Sequence, residues 1–235
     1  NGLQSPLFGS AACSRTLQQL MTANRVHLFE NEYARVASRS IAANSQLSAA
    51  LNGVTLSTPF PTGNSLADQL KLVARMVAAR SSLGARRQVF FVSLGGFDTH
   101  DGLVTQHPGL MKTLGDALGA FHQATVELGV SRQVTAFTAS DFGRTLVGNN
   151  DGSDHGWGSM HLVVGDAVNG RSFVGSPPVV ANGGPDDVGQ GRLLPGLSVD
   201  QYGATVATWF GVSATDLASV MPNLSNFSTH NLGFM

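Results

Sequence analysis

"RRQVFFVSLGGFDTHDG", residues 86–102, is the stretch on which the fold turns. Its middle, "QVFFVSL", is a short run rich in aromatic and β-branched residues, the composition of a strand buried on both faces of a parallel sheet. Two glycines follow, and then Asp98, Thr99, His100 and Asp101. Next comes "HPGLMKTLGDALGAFHQATVELG", with Leu110, Leu114, Leu118, Phe121 and Leu128 at helical spacing. Pro108 suits the first turn of that helix and Gly129 the position just past its end. "QVTAFTAS" reads as a second buried strand and "MHLVVGDAV" as a third. Strand, helix, strand in that order predicts an α/β domain with a parallel sheet. In such sheets ligands bind beyond the carboxyl ends of the strands.

Toward the N-terminus the pattern is helical. "SRTLQQLMTA" places Leu17, Leu20 and Met21 on one face, and "HLFENEYARVASRSIAANSQLSAAL" runs without glycine or proline. "VTLSTPFPTGN" is a loop. "SLADQLKLVARMVAAR" opens with Ser65 and Asp68 in capping-box spacing. Toward the C-terminus, "VDQYGATVATWFG" and "SATDLASVM" read as helices. The expected division is a helical region over residues 1–86, packing on an α/β core over 87–235.

The 235 residues are 42% hydrophobic and 12% charged, with a formal net charge of −1. The charge balance gives no basic surface for nucleic acid. No apolar run reaches the length of a membrane span. Cys13 is the single cysteine, so no internal disulfide forms. The chain opens on Asn1 without a signal peptide, and is expected to be a mature product or part of a longer protein.

Asp98 and His100 stand two residues apart. In extended backbone such positions face the same side, so the pair can present an oxygen and a nitrogen to one point. That donor set suits zinc, manganese or iron. Taken alone, the spacing fits a turn-capping aspartate and a surface histidine better than a metal pair, since turn chemistry favours Asp. Asp141 follows the second strand, as a metal ligand or an acceptor of loop amides. Arg144 carries the planar fork that binds phosphate, sulfate or carboxylate, or else pins its own loop to Asp141. In the glycine-rich loop "NNDGSDHGWGSMH", His155 is the third ligand candidate, with Asp154 beside it. His161 reads as structural, and His27, His107, His122 and His230 as ordinary. No G-x-S-x-G, Rossmann or P-loop signature is present.

Four motifs in order, "GGFDTH", "SDFGRT", "DGSDHGWG" and "VVGDAVNGRSFVG", resemble a bacterial family named domain of unknown function 1501. The resemblance covers roughly residues 87–235. Members of that family are usually exported, and it is grouped with alkaline phosphatases and sulfatases. The resemblance implies a three-layer α/β sandwich around a parallel sheet, with two metal sites at the strand ends. It maps Asp98, His100 and His155 onto one site, with a divalent ion, zinc or manganese, as cofactor. It maps Asp141 onto the second site, where Phe142 stands in place of the expected histidine. The family's nucleophile and first metal-binding acid belong to an N-terminal "GGxDGLN"-like segment, which residues 1–86 lack. The chain thus resembles the C-terminal part of a longer fold, completed by another segment or by a second copy of itself. The function implied is metal-dependent hydrolysis of small phosphate or sulfate esters in the periplasm or outside the cell, with Asp141 and Arg144 acting on the substrate. The alternative is a non-catalytic exported scaffold or binding protein with a degenerate metal site.

Overall fold

The structure, a computed structural model, describes residues 6–235. They divide into two units. One takes the described residues up to Thr55 together with Arg75–Arg86; the other takes Leu56–Ala74 and Arg87–Met235.

The first unit is helical. Ser10 caps α1 (Ala11–Thr22), its Oγ accepting from the Cys13 amide at 3.3 Å. After a short break, α2 runs over Leu28–Leu51 and lies against α1. The free carbonyls at the end of α2 find a donor in Arg75, whose guanidinium reaches Leu51 O at 3.0 Å and Val54 O at 3.3 Å.

In the second unit, α3 (Ser65–Ala78, its last turn in the first unit) buries the stripe Leu66, Leu70 and Val73. Its cap is the buried Asn64 rather than Ser65. Asn64 Oδ1 accepts from the Ala67 amide at 3.0 Å, and its Nδ2 donates to Thr113 O at 2.8 Å. Asn64 wins because it satisfies one orphan amide of α3 and one carbonyl elsewhere at the same time. The long helix α4 covers Leu103–Glu127. It begins four residues before the expected histidine, so Pro108 lies in its second turn. The early start is fixed by the Leu103 amide, which donates to Asp151 O at 3.0 Å. Helix α4 therefore leaves directly from the Asp98–Gly102 turn.

The strands are short. β1 (Ala136–Phe137) pairs antiparallel with β4 (Val163–Val164), and β2 (Gly143–Gly148) pairs antiparallel with β3 (Ser153–Gly156). No two strands pair in parallel among the described residues. "QVFFVSL" joins no ladder, yet residues 88–94 alternate half-buried and exposed, the period of a strand. The Gln69 side chain stands in for a neighbouring strand there: its amide accepts from Ser93 N at 3.0 Å and donates to Ser93 O at 2.9 Å. The loop expected around residues 149–161 instead holds a strand, since "SDHG" is β3. A small core gathers Ala204, Leu217 and Leu224 from α5 (Val199–Phe210), α6 (Ala214–Val220) and the turn after α6.

Candidate metal centre

Two backbone segments build the centre. The first is the Asp98–Gly102 turn; the second is the start of β3. The Ser153 amide donates to Thr99 O at 3.3 Å and the Leu103 amide to Asp151 O at 3.0 Å, so the two run side by side. Gly152 sits where they are closest, in contact with the His100 carbonyl. In the β2–β3 register Arg144 faces His155. These contacts carry His155 up to Asp98 and His100.

The three side chains meet at one point. Asp98 Oδ1 lies 2.9 Å from His100 Nε2 and 2.8 Å from His155 Nε2, and the two Nε2 atoms are 3.3 Å apart. Arg144 Nη1 adds a fourth group, donating to the same oxygen at 3.0 Å. A carboxylate oxygen offers two lone pairs, so three nitrogens are competing for it. Two imidazole nitrogens facing each other at this range also have room for only one proton between them. A cation resolves both conflicts. The triangle of the three ligand atoms has a circumscribed radius shorter than a zinc–nitrogen bond, so one ion can sit about 2.1 Å from each of them. The carboxylate and two imidazoles are the donor set of zinc and manganese sites. Their side chains are 56%, 46% and 49% exposed, which leaves one side of such an ion open.

The surrounding groups hold the ligands in place. Asp154, expected as a ligand itself, instead lies behind His100, its Oδ1 3.3 Å from His100 Nδ1. A carboxylate there holds the Nδ1 proton and leaves the Nε2 lone pair for a metal. Asn149 Nδ2 donates to the same Asp154 oxygen at 2.8 Å. Phe142 stacks on the His155 ring, centroid to centroid 4.0 Å with the planes 8° apart, and so fixes its tilt. Arg144 also donates from Nε to Ser153 Oγ at 3.0 Å and from Nη2 to Ser153 O. It ties Asp98 to β3. The His155 imidazole first, and then the Arg144 guanidinium, hold the Asp98 carboxyl below its ordinary value.

Asp141 is exposed and stands apart from the triad; among the described residues the only group with metal-ligand geometry is Asp98, His100 and His155. It lines an open groove of about 580 Å³ beside the centre, with His155, Gly156, Trp157, Val188 and Arg192. Arg192 carried no signal in the sequence, because nothing in its spacing relates it to Asp98 or His155; Trp157 stands two residues after His155 in the same glycine-rich run. His161 lies outside the triad, its Nδ1 3.2 Å from Thr138 Oγ1.

Arg192 is presented by a turn in which Gly189, Gln190 and Gly191 all have positive φ, at 110°, 61° and 73°. The Asp187 carboxylate organises this turn, accepting from the amides of Gly183 at 2.7 Å, Gly189 at 2.8 Å and Gly191 at 3.1 Å. Leu146 of β2 donates its amide to Gly191 O at 2.9 Å, which binds the turn to the strand carrying Arg144. The amide bonds, that of Gly183 foremost, pull the Asp187 carboxyl below its ordinary 3.8. Because the folded value lies below the unfolded one, this support is complete above pH 3.8 and fades as pH falls through the folded value. Asp187→Asn is expected to cut hydrogen-exchange protection at the Gly183, Gly189 and Gly191 amides at neutral pH by about tenfold. The parent should lose the same protection only on acidification below that point. Unchanged protection in the variant would show that the turn holds without the carboxylate.

The sequence pattern of the family described as "Protein of unknown function (DUF1501)" matches residues 11–214. The match reaches back through the helical residues that carried no motif. No curated protein and no solved structure matches the chain.

Proposed function

We propose that the chain, which belongs to the DUF1501 family, is a divalent-metal-dependent hydrolase of phosphate or sulfate esters that works after export. The observation that carries this reading is the convergence of Asp98, His100 and His155 on one point beside an open groove. A zinc or manganese ion held there supplies Lewis-acid stabilisation of the charge that builds on a phosphoryl or sulfuryl group. The chain's own residues hold and orient that ion. Asp98 and the two Nε2 atoms hold the ion, Asp154 keeps His100 in the ligating tautomer, and Arg144 and Phe142 fix Asp98 and His155. The same reading takes the whole fold to be the alkaline phosphatase-like parallel-sheet sandwich, incomplete within this chain. Residues 88–94 would be one of its strands, and the missing N-terminal part of the fold or a second copy would complete it.

One observation favours the alternative, a non-catalytic exported scaffold or binding protein. Phe142 stands where the resemblance expects the second-site histidine, and it stacks on His155; among the described residues no second metal-ligand group forms. Metal loading followed by elemental analysis, with p-nitrophenyl phosphate and sulfate turnover measured before and after chelation, separates the two. Hydrolase activity predicts roughly one equivalent of ion and turnover that chelation removes. A retained ion with background turnover assigns the binding role, and absence of both metal uptake and turnover overturns the metal centre itself.

A further inference from the structure

The groove beside the triad holds two charged residues that the metal centre does not use, Arg192 and Asp141. Arg144, the arginine expected to bind the substrate anion, is engaged at every guanidinium nitrogen with Asp98 and Ser153. Arg192 is different. Its side chain reaches only its own turn, donating from Nη1 to Gly189 O at 3.3 Å and from Nη2 to Gln190 Oε1. Among the described residues no carboxylate pairs with it. The turn that presents it is fixed by Asp187 and by β2, and an added Cβ at Gly191 would stand 2.9 Å from the Leu146 amide nitrogen. A charged fork with no carboxylate partner, on a fixed turn that lines the groove with His155, can exchange those two carbonyl acceptors for an anion bound there.

Asp141 sharpens what that anion is. A carboxylate in an anion groove repels a ligand that can only accept hydrogen bonds. It accepts a bond from one that still carries a proton. Inorganic phosphate keeps a proton at neutral pH, as does part of a phosphate monoester population, whose second pKa lies near 6. Sulfate and sulfate esters keep none. We propose that Arg192 and Asp141 form a phosphate-selective subsite, Arg192 supplying the charge and Asp141 rejecting sulfate. This rests on the hydrolase reading and narrows its substrate to phosphate monoesters.

The test is calorimetric titration of the zinc-loaded full chain at pH 6 with inorganic phosphate and, separately, with sulfate. The parent, Arg192→Ala and Asp141→Asn are compared, with zinc content measured for each. Zinc content is expected to be the same in all three. The parent should prefer phosphate by at least about tenfold, the worth of one charge-assisted hydrogen bond. Arg192→Ala should weaken phosphate by about tenfold or more, and Asp141→Asn should bring phosphate and sulfate within roughly a factor of three. If zinc is bound but Arg192→Ala leaves phosphate affinity unchanged, or the parent binds both anions alike, the subsite is overturned while the metal centre stands. If the parent takes up no zinc, the hydrolase reading itself has failed.

Discussion

His155→Ala is expected to lower the affinity for zinc or manganese by at least about a hundredfold, more than the loss of any supporting residue around a metal. The substitution leaves one carboxylate and one imidazole, too few donors to displace the hydration shell of an ion on a half-exposed surface. The apo protein should respond very differently. His155 is 49% exposed, and its neighbours are the stacked Phe142 ring and the Asp98 carboxylate at 2.8 Å. Losing an exposed aromatic pair costs roughly 1 kcal/mol. Removal also relieves the competition of three nitrogens for Asp98 Oδ1, which offsets part of that cost. Apo parent and variant should therefore unfold at nearly the same temperature. Added zinc at about a hundred times its Kd should stabilise the parent by roughly 2.7 kcal/mol and leave the variant unmoved. Equal zinc stabilisation of both proteins would remove His155 from the ligand set.

The helices were legible because their signal is local. Leu66, Leu70 and Val73 repeat with the helical period, and those residues are the buried face of α3. The candidate triad was legible for a similar reason. Asp98 and His100 are two residues apart, and His155 stands among glycines in a polar run, which is how chemistry-bearing residues look in a sequence. Their supports were harder to read. Asp154 adjoins His155 in sequence, yet it serves His100, because successive residues of β3 point to opposite sides. Arg144 carries a fork suited to a substrate anion, and no spacing rule reveals that Asp98 and Ser153 already fill it. Arg192 lies far along the chain from the triad and reaches the groove only through its turn and that turn's bond to β2. In "QVFFVSL" the local signal is present in the alternating burial, while pairing depends on a neighbour that the run itself does not encode.

Gly152→Ala is expected to damage the metal centre as severely as the loss of a ligand, although it touches none of the ligating atoms. An added Cβ would fall inside the contact distance of the His100 carbonyl and only 2.6 Å from Thr99 O. Both obstacles are backbone, so no side-chain rotation relieves them. Gly152 does not have a positive φ, so the objection is lack of space rather than conformational strain. Either the Asp98–Gly102 turn or the start of β3 must move, and the bonds that go first are Ser153 N to Thr99 O and Leu103 N to Asp151 O. Those bonds hold His155 against Asp98 and His100, so separating the segments opens the ligand triangle. Overpacking of this kind costs about 1–3 kcal/mol. Zinc affinity should fall by about a hundredfold or more, since ligating atoms displaced by even half an ångström no longer share an ion. The matching control is Gly115→Ala within α4, where an added Cβ meets nothing within 4 Å. There the exchange should stabilise the helix by up to about 1 kcal/mol and leave zinc binding alone. If Gly152→Ala binds zinc as tightly as the parent, the close approach of the two segments is not what assembles the triad.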